Sequence, residues 1–278
     1  MKSDKVSRKQ EHGETNIRRI KRYLSQVVMF SAIGRLHKFS KSSNDESLRV
    51  LKDIHKGERC FIVATGPSLR VSDVEKLKDE YTFSVNSIFM LFDKTAWRSN
   101  YYVCLDERHF ENMLSKYPEE MNSVCTDIKF FNANCHATVD DKKLKIDNAL
   151  YVRVSGANPL TSAKEKFYFS KDLVKGVHNS GTVTNVAINI AMYMGFKKIY
   201  LLGVDCNYQG KLKHFSSDWN DQTMQLDERD LIELRMRNGF REMSGVAKQY
   251  EVEIYNATRG GMLEVFPRVD LDKVLEET

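Results

Sequence analysis

Short continuous runs of apolar residues recur along most of the chain, and polar or small residues follow each run. Runs of this length between turn residues are typical of buried strands. Seven segments fit the description: residues 59–64, 82–85, 101–105, 128–131, 150–154, 198–204 and 252–255. Because a strand that is apolar on both sides must be covered on both sides, the runs predict a mostly parallel sheet.

Helical periodicity fills several of the gaps between these runs. Residues 71–79, 110–117 and 226–250 have apolar positions at helical spacing, and residues 182–194 show the pattern most strongly. Strands that alternate with helices are typical of α/β folds with helices on both faces of the sheet. The sequence therefore predicts a Rossmann-like α/β fold.

The amino-terminal part of the chain has a different pattern. Residues 1–15 are polar and lack periodicity, which predicts disorder, whereas residues 16–39 alternate apolar and basic positions at helical spacing. Residues 40–44 read as a small polar linker. We therefore expect a basic tail with an amphipathic helix over residues 1–44, and a Rossmann-like domain over residues 45–278.

Charge is concentrated in the same amino-terminal part. The formal net charge is +5, and residues 1–42 hold eleven Lys and Arg against three acidic residues. A basic amphipathic helix can lie on a membrane surface. It can equally well cover an exposed face of the fold or of a partner subunit. Nucleic acid is not an expected partner, because aromatic residues are not interleaved with the basic ones.

Cysteine usage and the amino terminus indicate the compartment. The five cysteines form no CxxC pair, and the charged amino terminus has no apolar signal region. No apolar run reaches the ~18 residues that span a bilayer. We expect a cytoplasmic homo-oligomer with reduced thiols, with residues 16–39 as the segment that would contact the inner face of the membrane.

Polar or small residues follow nearly every predicted strand. Those positions are Thr65-Gly66-Pro67-Ser68, Asn86, Asp106, Asn132, Asp205 and Asn256. Because ligands of open α/β sheets bind just beyond the carboxyl ends of the strands, the set predicts a site for a polar ligand. Turn formation alone explains some of these residues.

Two turns in the sequence suit an anionic ligand. In the first, Gly66 lets a ligand approach the backbone, Pro67 suits a first helical turn, and Ser68 offers a hydroxyl to a phosphate or ribose. In the second, Ser180-Gly181-Thr182 opens the helix over residues 182–194, whose amino terminus attracts anions. Capping explains Ser180 equally well. Neither turn is a P-loop, and no GxGxxG occurs.

Several motifs together resemble a known family. They are ATGPSL (64–69), SVN (84–86), NSGT (179–182), GFKKIYLLGVDCNY (195–208), KHF (213–215) and YNATRGGMLEVFPRVD (255–270). This set resembles the MptE-like 6-hydroxymethylpterin diphosphokinase family, many of whose bacterial members look like surface-polysaccharide glycosyltransferases. It is similar, more distantly, to the CMP-sialic acid transferases of glycosyltransferase family 42 and to flagellin-modifying motility-associated factors.

The resemblance implies roles for individual residues. In the sialyltransferases the matching turn, strand-end asparagine and helix start bind the CMP donor, which points here to Thr65, Gly66, Ser68, Asn86, Ser180 and Gly181. Asp205 matches a donor contact, and Tyr208 lies on the same loop. The sialyltransferase turn has Asn in place of Thr65, and its phosphate-binding tyrosine would fall nearer to residues 213–214.

These residues predict a glycosyltransferase that works without a metal or cofactor. It would move a CMP-activated, sialic-acid-like sugar to a surface-glycan or lipid-linked acceptor. No DxD stands at a strand end, so hydroxyls, amides and cationic side chains must stabilise the departing phosphate. Tyr208, His214 and Arg259 are the candidates. His214 is the first choice for acid–base work, since histidine titrates near pH ~6.5. His178 is the second choice.

Two other functions stay open. A diphosphokinase that transfers diphosphate from ATP to a hydroxymethyl pterin would need Mg²⁺, for which Asp106 and Asp205 are candidate ligands. A non-catalytic binding module in polysaccharide assembly is the third hypothesis. It predicts that His214→Ala and Asp205→Ala leave the phenotype intact.

Overall fold

The computed structural model describes residues 41–141, 145–155, 169–179, 181–207 and 226–277. Met1–Ser43 and Asn44–Thr278 form two compact units. The disordered tail and amphipathic helix predicted over residues 1–39 lie outside the described residues. Among the described residues, no helix combines the length and apolar character needed to span a bilayer.

Strands and helices alternate through the described residues. The strands are β1 (Arg59–Val63), β2 (Thr82–Val85), β3 (Ser99–Cys104), β4 (Cys125–Asn132), β5 (Ala149–Val152), β6 (Val154–Ser155), β7 (Val177–His178), β8 (Lys198–Leu202) and β9 (Glu253–Asn256). The helices are α1 (Lys41–Val50), α2 (Val71–Glu75), α3 (Glu107–Lys116), α4 (Pro118–Asn122), α5 (Cys135–Asp141), α6 (Val183–Tyr193), α7 (Leu226–Gln249) and α8 (Leu271–Glu276), with a 3-10 helix at Asn86–Leu91.

Seven of these strands form one sheet in the order β5-β4-β3-β2-β1-β8-β9, and every pair in it is parallel. The chain builds outward from β1 through β5 and then crosses to the other side of β1 with β8. A topological switch point therefore lies between β1 and β8, which is where open α/β sheets bind their ligands. The predicted Rossmann-like fold is confirmed.

Burial on both faces explains why the strand sequences are continuously apolar. Phe61, Ile62 and Val63 of β1 are all fully buried, although their side chains alternate between the two faces. Helix α6 contacts β1, β2 and β3, and its residues from Thr184 to Tyr193 are all buried. This helix closes one face of the sheet directly behind the switch point.

Two local predictions are wrong. The described part of the predicted linker, residues 41–44, is instead the start of α1. The predicted strand over residues 150–154 is interrupted after Val152, and its last residues pair with β7 in a separate two-stranded sheet. Short elements such as α4, α5 and α8 had no periodic signal long enough to predict them.

Asn44 shows why the linker becomes a helix. Its buried side-chain amide donates to the Tyr151 carbonyl at 2.9 Å and accepts from the Tyr151 amide at 2.8 Å. These two hydrogen bonds join the backbone of β5, an edge strand of the sheet, to a side chain of α1. The polar residue that suggested a linker therefore attaches α1 to the sheet.

We expect Asn44→Ala to lower the free energy of unfolding by about 1–3 kcal/mol, because it leaves buried backbone groups of Tyr151 without partners. Chemical denaturation followed by circular dichroism measures the change. Glu46→Ala on the same helix is the control, since the Glu46 side chain is 70% exposed and its contact with Arg49 spans 3.5 Å. Equal stability of the two variants would contradict this role of Asn44.

Candidate active site

A cavity of about 490 Å³, including its open mouth, lies at the switch point. We call it the switch-point cavity, and its lining residues are Ala64, Thr65, Gly66, Val85, Asn86, Thr182, Val183, Thr184, Gly203, Val204, Asp205, Cys206, Asn207 and Met236. They come from the carboxyl ends of β1, β2 and β8, from the amino terminus of α6 and from α7.

The turn after β1 is held against the loop after β8 by Asp205. The Asp205 carboxylate accepts from the Ser68 hydroxyl at 2.8 Å and from the Ser68 amide at 3.3 Å. The Gly66 amide also donates to the Gly203 carbonyl at 2.9 Å. Asp205 thus fixes the geometry of the turn from the side of the cavity.

Gly66 is required where these two loops meet. A Cβ atom built at Gly66 would lie 1.9 Å from the Asp205 carboxylate oxygen and 2.4 Å from the Gly203 carbonyl oxygen. No larger residue fits without moving one of the loops. We predicted that Gly66 lets a ligand approach the backbone, but the group that approaches it in the structure is the Asp205 carboxylate.

Asn86 presents an unoccupied amide to the cavity. It follows β2 with a positive φ of 49°, and the Tyr102 hydroxyl donates to its carbonyl at 2.7 Å. Asparagine tolerates this left-handed conformation better than most residues. In the part of the chain that the structure describes, the half-buried side-chain amide makes no hydrogen bond, so both its donor and its acceptor are free for a ligand.

The amino terminus of α6 forms another wall. Thr182 is the N-cap, and its hydroxyl accepts from the Thr184 amide at 3.3 Å. The alternative in which Ser180 caps this helix is therefore wrong, and Ser180 itself lies outside the described residues. The helix dipole places partial positive charge at this amino terminus, which favours an anion in the cavity.

Burial sets the protonation of two groups at the cavity. Desolvation raises the pKa of the Asp205 carboxyl above its usual value, and the hydrogen bonds from Ser68 oppose that rise. Desolvation also raises the pKa of the Cys206 thiol to about 12. Cys206 is therefore a neutral thiol at physiological pH and lines the cavity as a small apolar side chain.

Arg259, a candidate for stabilising the departing phosphate, does not line the cavity. Its guanidinium forms an ion pair with buried Asp73 of α2 at 2.6 Å, instead of capping its own glycine turn or facing the cavity. Arg268 caps that turn, donating to the carbonyls of Gly260 and Gly261. Arg259 therefore attaches the glycine turn to the helix that follows the Gly66 turn.

The predicted polar edge divides into two groups. Thr65, Gly66, Asn86, Thr182 and Asp205 line the cavity together, as predicted. Other residues that follow strands form hydrogen bonds within the fold and do not line the cavity. Asp106 caps α3 by accepting from the His109 amide at 2.7 Å, Asn132 donates to the Leu105 carbonyl, and Asn256 donates to the Leu263 carbonyl.

Several predicted residues are not in the lining. Pro67, Ser68 and Gly181 flank it, and Ser68 acts through Asp205. His178 lies in β7 and is not part of the lining either. Tyr208 and His214 lie outside the described residues. The described ranges contain no group of three or more His, Cys, Asp or Glu side chains placed to hold a metal ion.

Sequence reasoning missed Cys206, Asn207 and Met236. The first two directly follow Asp205, so extending the strand-end rule by two residues would have included them. Met236 comes from the middle of α7, 29 positions after Asn207 in the numbering. Helical periodicity alone does not indicate that such a residue faces a ligand.

A family comparison bears on this site. The family model described as 6-hydroxymethylpterin diphosphokinase MptE-like matches residues 34–211, more than half of the chain. The chain belongs to the MptE-like family. The resemblance stated from the sequence motifs is thereby confirmed. The matched part of this MptE-like chain includes the turn after β1, Asn86, the start of α6 and Asp205.

Solved structures with a similar course of the chain are glycosyltransferases. The sialyltransferase CstII from Campylobacter jejuni, in complex with the substrate analogue cytidine-5'-monophosphate, has a TM-score of 0.48 and 14% identity, over 77% of this chain and 85% of that chain. The MAf glycosyltransferase from Magnetospirillum magneticum AMB-1 has a TM-score of 0.46 and 14% identity, over 84% of this chain and 39% of that chain. At this level the likeness concerns the fold alone. Comparison with curated proteins gives no match.

Proposed function

We propose that this MptE-like protein is a glycosyltransferase that binds its nucleotide-sugar donor in the switch-point cavity. One observation carries the proposal: Gly66, Asn86, Thr182 and Asp205 come from four separate segments and line the same cavity. Each was singled out in the sequence for donor binding. The cavity's position between β1 and β8 is the one that the fold provides for nucleotides.

The lining offers different groups to the phosphate of a nucleotide and to its base or ribose. The positive end of the α6 dipole favours a phosphate, whereas the free amide of Asn86 can donate to and accept from a base or a ribose. The motif resemblance to CMP-sialic acid transferases makes a CMP-activated acidic sugar the proposed donor. The proposed acceptor is a surface glycan or a lipid-linked glycan.

In the proposed reaction an acceptor hydroxyl oxygen attacks the anomeric carbon of the donor sugar. The bond from that carbon to the phosphate oxygen breaks, and its electron pair leaves with CMP. The acceptor proton passes to a base, for which His214 is the candidate. The amino terminus of α6 stabilises the charge that develops on the phosphate, with Tyr208 as a further candidate. We propose that no metal takes part.

The family description favours a second candidate function, transfer of diphosphate from ATP to a hydroxymethyl pterin. That reaction would use Mg²⁺ held by carboxylates and the phosphates of ATP. Of the two candidate ligands, Asp205 is hydrogen-bonded to Ser68 and Asp106 caps α3. Either carboxylate would have to bind the metal through its remaining oxygen.

A thermal-shift panel of CMP, CDP, UDP, GDP and ATP, each with Mg²⁺ or with EDTA, separates the two functions. We expect CMP to raise the melting temperature equally in both conditions, because amides and hydroxyls bind its phosphate. A rise with ATP and Mg²⁺ alone would favour the diphosphokinase. No rise with any nucleotide would contradict both proposals.

We expect Asn86→Gly to weaken CMP binding about tenfold, because it removes the free amide and leaves a residue that accepts a positive φ. Titration calorimetry measures the change. Asn148→Gly is the matched control, since Asn148 has a φ of 55° and does not line the cavity. Equal CMP affinity in the two variants would remove Asn86 from the donor site.

A further inference from the structure

A second concave surface lies beside the switch-point cavity. It is lined by Arg237, Arg241, Ser244, Met262, Leu263, Glu264 and Val265, and it measures about 810 Å³ including its open mouth. We call it the α7 groove. One wall is a face of α7, because Arg237, Arg241 and Ser244 are spaced four and three residues apart. The other wall is the segment that follows the glycine turn.

The charges in the α7 groove do not cancel. Arg237 is paired with buried Glu233, and Glu264 is paired with Arg268 through three hydrogen bonds of 2.6, 3.0 and 3.1 Å. Exposed Arg241 makes one hydrogen bond, to the Asn238 side chain at 3.1 Å, and forms no ion pair with any described carboxylate. The groove thus retains the positive charge of Arg241.

The α7 groove and the switch-point cavity share a boundary. Met236 lines the cavity, and the next residue, Arg237, lines the groove. Across from α7, the Met262 amide donates to the Asp205 carbonyl at 2.7 Å, so the wall of the groove is bonded to a residue of the cavity. The groove and the cavity are therefore joined at two points, through α7 and through this hydrogen bond.

The α7 groove also offers an apolar surface. The Met262 side chain is 45% exposed and contacts the Arg237 guanidinium through its sulfur at 3.7 Å. Half-buried Val265 lies on the same wall, and buried Leu263 packs beneath it. Sugar rings have apolar faces and polar edges, so a wall of this kind next to hydrogen-bond donors suits a saccharide better than a bare anion.

We propose that the α7 groove binds the acceptor and selects an acceptor sugar that carries a carboxylate or a phosphate. This inference rests on the proposed glycosyl transfer and adds the acceptor class to it. The planar guanidinium of Arg241 pairs with either anion through two parallel hydrogen bonds, and the Ser244 hydroxyl provides a further donor or acceptor. The apolar wall contacts the sugar ring.

Saturation-transfer NMR with three probes tests the proposal: methyl glucuronide, glucose 6-phosphate and neutral methyl glucoside. We expect a charged probe to bind roughly tenfold more tightly than the glucoside, and Arg241→Gln to remove that preference. Arg49→Gln is the control, because it removes an exposed arginine from α1 instead. Binding of the glucuronide alone identifies a carboxylate acceptor, and binding of the phosphate alone identifies a phosphorylated one.

Equal binding of charged and neutral probes, no binding of any probe, or an unchanged preference in Arg241→Gln would overturn the proposal. The nucleotide panel keeps this result separate from the proposed function. If CMP binds and the probes do not, the α7 groove is not the acceptor site. If the probes bind through Arg241 and no nucleotide does, the groove is an anion site and the glycosyl-transfer proposal fails.

Discussion

Gly66→Ala is expected to reduce the rate of glycosyl transfer by roughly 10²-fold, because small displacements of a positioned binding group have effects of this size. The added methyl group would lie 1.9 Å from the Asp205 carboxylate oxygen and 2.4 Å from the Gly203 carbonyl oxygen. Atoms cannot remain at these distances, so the turn after β1 must separate from the loop after β8. Both loops line the switch-point cavity. We also expect the free energy of unfolding to fall by about 1–3 kcal/mol.

Gly245→Ala is the matched control for this substitution. Gly245 lies inside α7, and a Cβ atom built there meets no atom within 4 Å. Alanine is the better helix former, so this variant should be more stable than the parent by about 0.5–1 kcal/mol and should keep full activity. If Gly66→Ala behaves like Gly245→Ala in donor-binding and denaturation assays, the close packing of the two loops is not what shapes the site.

Asp205→Ala is expected to have the second largest effect. It removes the carboxylate that accepts from both the hydroxyl and the amide of Ser68. Charged hydrogen bonds contribute about 1.5–3 kcal/mol each, so we expect a loss of donor affinity of at least tenfold. Asp205→Asn retains an acceptor oxygen of similar shape and should keep most of the affinity. Titration calorimetry with CMP compares the two variants.

The Asp205→Asn variant also gives a pH test. Burial raises the pKa of Asp205 above its usual value of 3.8 in the folded protein. Its contribution to stability is therefore fully present below pH 3.8 and is lost as pH rises through the folded pKa. Asp205→Asn lacks this loss, so the stability of the variant relative to the parent should increase as pH rises above 3.8. A constant difference in melting temperature across this range would mean that Asp205 is not desolvated.

The sequence was sufficient to predict the sheet because strands that are buried on both faces are continuously apolar. The strand predicted over residues 82–85 agrees with β2, and the strand ends correctly located Asn86 and Asp205. The same rule grouped these residues with Asp106, Asn132 and Asn256, since polar residues that form turns and polar residues that bind ligands look alike in a sequence.

Long-range contacts account for what the sequence did not predict. Asn44 turns a polar segment into a helix by bonding to Tyr151, which is 107 positions away. Arg259 was a candidate for substrate binding, but it pairs with Asp73, 186 positions away. Neither pairing follows from composition, spacing or periodicity, because each depends on which segments the completed sheet brings together.

The most direct test of the central claim is a crystal structure of the protein with CMP. We predict that the nucleotide occupies the switch-point cavity, with its phosphate at the amino terminus of α6 near Thr184 and with the Asn86 amide hydrogen-bonded to its base or ribose. CMP bound in the α7 groove or elsewhere on the surface, with the space between Gly66, Asn86 and Thr182 empty, would contradict the account.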